Sequence, residues 1–192
     1  MSVTMDVITA WETRHMATLD RAAAPGEREA AFARLAETQL DAAYHLATFI
    51  LVGDRAEAED AVHDAALRAW EHLGEVRDPA RFEAWFTRIV VNVCRDRIAG
   101  RRTRPVTLAD PDPGAAPDHA EAFVRADALE QAMRSLSADQ RIVIGLRFVE
   151  DRSIEEIALR TGERPGTVKS RLHYALRALR AALEADAREV VP

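Results

Sequence analysis

The sequence lacks the residues that would build several common kinds of protein. It has a single cysteine, Cys94, among 192 residues, which excludes an intramolecular disulfide and a cysteine-based zinc site. Glycine and proline number only eight each, and runs of β-branched residues are sparse, so the composition favours helix throughout. No segment approaches the length of a membrane span, and the N-terminus lacks a basic leader followed by an apolar core. We therefore expect an all-α, cytoplasmic protein without stable membrane insertion.

An excess of positive charge and the usual catalytic groups are also missing. The net charge of −6 argues against a protein that coats nucleic acid indiscriminately, although it allows local basic patches. No nucleophile–base pair and no phosphate-cradling loop is visible. Asp60 and His63 have a D-x-x-H spacing, but a di-metal bundle needs a second such motif and further inward carboxylates. We predict no enzymatic activity, no metal and no cofactor.

Two helices joined by a tight turn are predicted between Arg152 and Arg180. Ser153 and Glu156 have the spacing of a capping box, Gly162 suits a helix end, and Pro165 suits the first position of the next helix. The second helix carries several basic residues and no acidic one up to Arg180, which is typical of a recognition helix. Its apolar residues recur at helical spacing and are predicted to face inward: Val168, Leu172, Ala175, Leu176, Leu179 and Leu183.

Five further helical patterns precede this motif. The first three lie at about 27–52, 56–73 and 79–99, the fourth starts near Phe123 and contains Leu129, Met133 and Leu136, and the fifth opens with a second capping box, Ser137 with Gln140. The third has an apolar face and a second face on which Asn92 lies among arginines at three-, four- and seven-residue spacing. Residues 105–122 contain four prolines and four acids, so they are predicted to form an extended acidic linker. The expected organisation is two small helical domains joined by that linker. Its parts are an N-terminal segment 1–26, a first domain 27–104, the linker 105–122, a second domain 123–186 and a tail 187–192.

Two separate stretches carry one family resemblance. Residues 59–70 and 82–92, with the arginine-rich tail that follows, resemble region 2 of the extracytoplasmic-function (ECF) sigma factors of bacterial RNA polymerase. Residues 136–183, with the motifs at 154–158 and 166–171, resemble region 4 of the same family. The order, the spacing and the linker match as well, which makes the resemblance far more specific than either motif alone.

The resemblance implies roles for individual residues. Contacts to core polymerase are implied for Glu59, Asp60, His63 and Asp64. Contacts to the single-stranded downstream (minus-ten) element are implied for Asn92 as a base reader and for Arg88, Arg95, Arg97, Arg101 and Arg102 on the backbone. Contacts to the upstream (minus-thirty-five) element are implied for Arg147, Arg164, Thr167, Lys169, Ser170, Arg171, His173 and Tyr174.

The implied function is that of an initiation factor which binds core RNA polymerase, recognises both promoter elements and assists promoter melting. The implied partners are core RNA polymerase and promoter DNA, with an anti-sigma factor as a further, optional partner. Two alternatives remain open from the residues alone. One is a self-sufficient helix-turn-helix repressor or activator, which would bind a palindrome as a dimer. The other is a helical metal or ligand enzyme.

Overall fold

A computed structural model of the protein describes residues 25–73, 81–101 and 120–189, and every regular element in these ranges is a helix. The predictions for the segment 1–24, for residues 74–80, for most of the linker and for Arg102 lie outside the described residues. None of the described helices is long and apolar enough to cross a membrane. The helices are α1 (Pro25–Ile50), α2 (Arg55–Glu71), α3 (Phe82–Arg101), α4 (Ala120–Ser135), α5 (Ala138–Phe148), α6 (Ile154–Thr161) and α7 (Pro165–Glu189).

The first three helices pack against one another as the N-terminal domain. A turn with positive φ at Gly53 (80°) separates α1 from α2, and the Asp54 carboxylate then caps α2 by accepting from the Glu57 amide at 2.9 Å. The sequence predicts that the first helix ends at this position, but it does not predict the cap at Asp54. The face that α2 buries is mostly alanine, which lets its neighbours approach closely: Ala58, Ala61, Val62, Ala65, Ala66 and Ala69.

Helices α4 to α7 form the C-terminal domain, and both predicted capping boxes are confirmed there. Ser137 and Gln140 cap α5 reciprocally, and Ser153 and Glu156 do the same for α6. Gly162 ends α6 in the left-handed conformation with φ of 73°, as predicted for this position. These local signals set the helix–turn–helix geometry of α6 and α7.

The two domains are packed on each other rather than merely tethered. Helices α1 and α3 contact α5, and α3 also contacts α6. The buried apolar residues of both domains form one continuous cluster, which runs from Phe32 in α1 to Ala175 in α7. The sequence predicts two domains and a linker, but it does not predict this closed arrangement.

Some details differ from the sequence-based expectations. Helix α4 begins at Ala120, inside the predicted linker 105–122, because alanine and glutamate at this point are good helix formers. Helix α7 extends to Glu189, three residues past the predicted boundary of the second domain at 186. Leu176, which was predicted to face inward, is 39% exposed. Helical periodicity places it on the apolar side of α7, but much of its side chain remains uncovered.

Candidate nucleic-acid interface

The N-terminal half of α7 presents a row of polar and basic side chains to solvent. Val168 and Ala175 are both fully buried and anchor the helix on the opposite side. Tyr174 is 60% exposed and its ring meets that of His173 edge-on, with centroids 5.6 Å apart. The exposed residues among the predicted upstream contacts are Arg164, Thr167, Lys169, Ser170, His173 and Tyr174. A packed helix with a solvated row of donors is suited to contact phosphates and base edges.

Arg171 departs from this pattern because carboxylates already bind it. Its Nη1 donates to both carboxylate oxygens of Glu163 in the turn, and its Nη2 lies 3.8 Å from Oδ2 of Asp139 in α5. The side chain is only 24% exposed, whereas the sequence predicts that it points outward. Its role as a base reader stays a prediction, and that role requires the guanidinium to leave at least one of these carboxylates.

Arg147 contacts the loop that leads into α6. Its Nη1 donates to the carbonyl of Arg152 at 3.1 Å and to Oδ1 of Asp151 at 3.3 Å. Asp151 itself has a positive φ of 50°, a conformation that costs free energy in a residue with a side chain and needs support from its surroundings. Arg147 therefore stabilises the loop before the helix-turn-helix. The predicted phosphate contact would be an additional role.

Asn92 and its predicted arginine neighbours lie together on α3. Asn92 is exposed, and its Oδ1 accepts from Nη1 of Arg95 at 3.1 Å. The same arginine donates through Nε to Oδ1 of Asp139 at 2.9 Å, so it joins the two domains. Arg88 reaches the helix-turn-helix from the same face, since its Nη2 lies 3.0 Å from the position that a Cβ on Gly162 would occupy. The predicted downstream reader is thus next to the C-terminal domain.

The two other downstream arginines that the structure describes, Arg97 and Arg101, bind carboxylates of the N-terminal domain. Nη2 of Arg97 is 2.5 Å from Oδ2 of Asp64 and its Nη1 is 3.9 Å from Oδ2 of Asp60. Arg101 pairs with Asp54 at 2.5 Å and with Glu57. The predicted polymerase contacts and the predicted DNA contacts therefore neutralise each other in part, across the junction of α2 and α3.

The predicted polymerase contacts still present acidic surface on α2. The Asp60 side chain is 77% exposed, and Glu59 is exposed as well. His63 and Asp64 are half-buried. Exposed carboxylates on a rigid helix are suited to bind a basic partner surface.

Sequence reasoning missed an ion cluster between the domains. Arg160 in α6 has a side chain that is only 5% exposed, and its Nη2 donates to Oε1 of Glu83 in α3 at 2.8 Å. Arg152 pairs with the same carboxylate, and it also lies 3.5 Å from Glu150. One signal was available, because Arg160 follows the buried Ile157 by three residues and so lies on the apolar side of α6.

Three ionisable groups have shifted pKa values for clear reasons. Burial raises the pKa of Glu150 even though Arg152 and Arg160 oppose the shift. The backbone hydrogen bond from Ser153 lowers the pKa of Glu156, as expected for the carboxylate of a capping box. Burial raises the pKa of Cys94 to about 12, so this thiol stays protonated at neutral pH and is not a nucleophile. In the described ranges, no group of three or more His, Cys, Asp or Glu side chains is placed to hold a metal ion.

Comparison with known proteins gives matches in both domains. The family model for sigma-70 region 2 matches residues 35–104, and the model for sigma-70 region 4 matches residues 126–179. The ECF RNA polymerase sigma factor SigL of Mycobacterium tuberculosis is 38% identical over 141 residues, which cover 70% of this chain and 78% of SigL. The RNA polymerase sigma factor SigV of Bacillus subtilis is 32% identical over 142 residues, covering 71% of this chain and 81% of SigV.

Two solved structures have the same fold. The sigma factor RpoE of Bartonella quintana, in complex with the anti-sigma factor NepR, has a TM-score of 0.60 and 25% identity, covering 81% of this chain and 98% of RpoE. CnrH, in complex with the cytosolic domain of CnrY, has a TM-score of 0.61 over 97% of this chain and 99% of CnrH. At 23% identity it supports the fold alone. The predicted all-α fold and the predicted family are confirmed. The chain belongs to the ECF sigma factors of the sigma-70 family, which give RNA polymerase its promoter specificity in transcription initiation.

Proposed function

We propose that this chain binds core RNA polymerase, recognises the minus-thirty-five and minus-ten elements of its promoters, and assists promoter melting. The observation that carries the proposal is the solvated, basic N-terminal half of α7, within a chain that matches both sigma regions. The role consists of binding and includes no catalytic step. It is exercised in the cytoplasm, where polymerase and promoter DNA meet.

Helix α7 is the proposed reader of the upstream element. The major groove admits one α-helix, and residues near the start of a recognition helix reach the base edges. Lys169, His173 and Tyr174 are exposed there, while the buried Val168 holds the helix in place. Arg164, Thr167 and Ser170 are close enough in sequence to contact the flanking phosphates. Arg171 joins them when its pairing with Glu163 rearranges.

Helix α3 is the proposed reader of the downstream element. Asn92 is exposed, while its neighbours Val91 and Val93 are buried, so the side chain projects from a well-packed helix. Its amide can donate and accept at the same time, as the edge of an unstacked base requires. Arg95, at hydrogen-bond distance, orients that amide and supplies positive charge for the strand. Capturing an unpaired base on this surface stabilises the melted promoter.

The proposed protein partners are core polymerase and an anti-sigma factor. Glu59 and Asp60 on α2 offer exposed carboxylates to polymerase, flanked by His63 and Asp64. The proposal of an anti-sigma factor is by analogy, because the similar RpoE structure holds a sigma factor with its anti-sigma factor.

Run-off transcription with core RNA polymerase tests the function. The template is the promoter region upstream of this protein's own gene. The chain should co-purify with core polymerase and give a defined transcript, which core polymerase alone does not produce. Binding to a palindromic duplex as a dimer, without polymerase and without a transcript, would overturn the proposal.

A pair of variants on one helix tests the upstream reader. Lys169→Ala should lower transcription by weakening contact at the start of α7. Arg180→Ala removes the same charge about three helical turns further along and should have little effect. Equal effects of the two substitutions would show that α7 contributes general charge rather than a docked recognition surface.

A further inference from the structure

Glu163 lies in the turn between the two helices of the helix-turn-helix and binds Arg171 of α7. Its backbone is fixed, because Gly162 before it has a positive φ of 73° and its own amide donates to the carbonyl of Ala158 at 3.1 Å. Nη1 of Arg171 donates to both oxygens of the Glu163 carboxylate, and the two side chains are only 24% and 20% exposed. A charge-assisted pair between half-buried groups is stronger than an exposed ion pair. The chain therefore presents Arg171 with its charge already neutralised.

The two other cations near the start of α7 are not held in this way. Within the described residues, Arg164 and Lys169 form no ion pair with a carboxylate, and both side chains are exposed. Such cations can contact the phosphates of any DNA sequence. Asp139 adds little to the difference, because its Oδ2 lies 3.8 Å from Nη2 of Arg171, beyond hydrogen-bond distance. Glu163 is therefore the group that sets Arg171 apart from its neighbours.

Phosphate and guanine are not equivalent ligands for an arginine that a carboxylate already binds. A phosphate offers the same charge and the same fork geometry as the Glu163 carboxylate, so exchanging one for the other gains little. The exchange also leaves Glu163 unpaired beside a second negative charge, which costs free energy. A guanine edge offers two acceptors, O6 and N7, without a net charge, so it does not repel the released carboxylate. Glu163 should therefore permit base contact by Arg171 and suppress its contact with phosphates.

We propose that Glu163 sets the specificity of the upstream reader: it withholds Arg171 from phosphates, so that Arg171 adds affinity only where the major groove presents a guanine. This inference rests on the proposed function, because it assumes that α7 lies in the major groove. Specificity is a difference between two affinities, so lowering the affinity for the wrong sequence raises it. Both partners of the pair belong to the C-terminal domain, so its effect does not depend on how the two domains are arranged.

Glu163→Gln tests the proposal directly, because it removes the charge and nearly keeps the size of the side chain. Holoenzyme assembled from core polymerase and the full chain is titrated with a fluorescent duplex that lacks the promoter, and binding is followed by anisotropy. Core polymerase is the same in every sample, so differences between variants come from this chain. Once released, Arg171 should contact one more phosphate. The slope of log affinity against log salt should become steeper by about 0.9, which gives about fivefold tighter binding at about 0.15 M salt. An unchanged slope would overturn the proposal.

The same variant should lose discrimination and keep its activity. Transcription from the promoter upstream of the protein's own gene should stay near wild type. Competition by templates with single substitutions in the upstream element should become about fivefold stronger at one guanine. Loss of transcription from all templates would show that Glu163 only supports the fold, and would overturn the proposal.

Glu155→Gln is the matched control for the change in net charge. Glu155 is exposed on α6 of the same domain, so its substitution removes one negative charge without releasing Arg171. It should change neither the salt slope nor the discrimination. Equal effects of Glu155→Gln and Glu163→Gln would reduce the role of Glu163 to net charge and overturn the proposal.

Variants of α7 keep the proposal testable if Glu163→Gln does not fold. Arg171→Ala alone should leave the salt slope on the nonpromoter duplex unchanged, because Glu163 already withholds this arginine. Lys169→Ala removes an unpaired cation from the same helix and should make that slope shallower by about 0.9. Equal reductions by these two substitutions would overturn the proposal. Failure of this inference leaves the run-off transcript intact, whereas failure of the proposed function removes the transcript from wild type and variants alike.

Discussion

Replacing Arg160, a residue of the C-terminal domain, should destabilise the N-terminal domain. Arg160 lies in the C-terminal domain, but its guanidinium binds Glu83 of the N-terminal domain. All three tryptophans precede residue 86 in the chain, and the two described ones, Trp70 and Trp85, pack in the core of the N-terminal domain. Through Trp70 and Trp85, urea unfolding followed by tryptophan fluorescence therefore reports on that domain. Arg160→Met should lower its unfolding midpoint with little change in the slope.

The structure limits the free energy of unfolding that Arg160→Met can remove. Exposed ion pairs contribute about 0–1 kcal/mol, whereas breaking a buried pair costs about 3–5 kcal/mol. The Arg160 side chain is 5% exposed but that of Glu83 is 36% exposed, and Glu83 keeps its pairing with Arg152. The Nε of Arg160 is also buried without a hydrogen-bond partner among the described residues, so part of its burial is unfavourable already. We therefore expect a loss of about 1–2 kcal/mol for Arg160→Met.

The control for this experiment is Arg134→Met. Arg134 is 59% exposed and pairs with Glu130 of its own helix, so the midpoint should move by less than about 0.5 kcal/mol. A double-mutant cycle with Glu83→Gln then isolates the pair itself, with an expected coupling of about 1 kcal/mol. If Arg160→Met leaves the tryptophan transition where wild type has it, the domains do not stabilise each other through this contact.

Two other substitutions have directions that follow from the structure. Arg171→Ala should relax discrimination at one upstream base pair by about 1–3 kcal/mol, measured as promoter competition in run-off transcription. Unchanged selectivity would show that Arg171 does not read a base and only forms ion pairs. Glu150→Gln should change the pH dependence of stability. Because burial raises the pKa of Glu150 above 4.5, its stabilising contribution is present at low pH and is lost as pH rises through the raised value. The variant should therefore be more stable than wild type at neutral pH, with a flatter curve of urea midpoint against pH in the acidic range above 4.5; a curve identical to that of wild type would contradict this assignment.

Local signals in the sequence were sufficient to predict the helices and several of their ends. Both capping boxes and the left-handed Gly162 depend on residues within four positions of each other, so they can be predicted from spacing alone. The solvated row on α7 follows from the helical period of the buried Val168 and Ala175. The family resemblance came from the same local patterns, and it is confirmed.

The contacts between the two domains could not be predicted in this way, because their partners are far apart in sequence. Arg141 and Ile50 are separated by 91 residues, and Arg160 and Glu83 by 77. Nothing in the spacing of either helix indicates which distant helix will cover it. The same limit applies to Arg171. Periodicity predicts that it points outward from α7, but it cannot predict that Glu163 and Asp139 pair with its guanidinium.

Promoter opening by Asn92→Ala tests the central claim most directly. Asn92 is exposed, so the substitution should leave the fold and the binding of core polymerase intact. A permanganate footprint of the promoter complex should show lost thymine reactivity in the bubble, with reduced discrimination among downstream sequences. If the variant opens promoters as well as wild type and with the same sequence preference, Asn92 does not read the downstream element and the account of α3 is wrong.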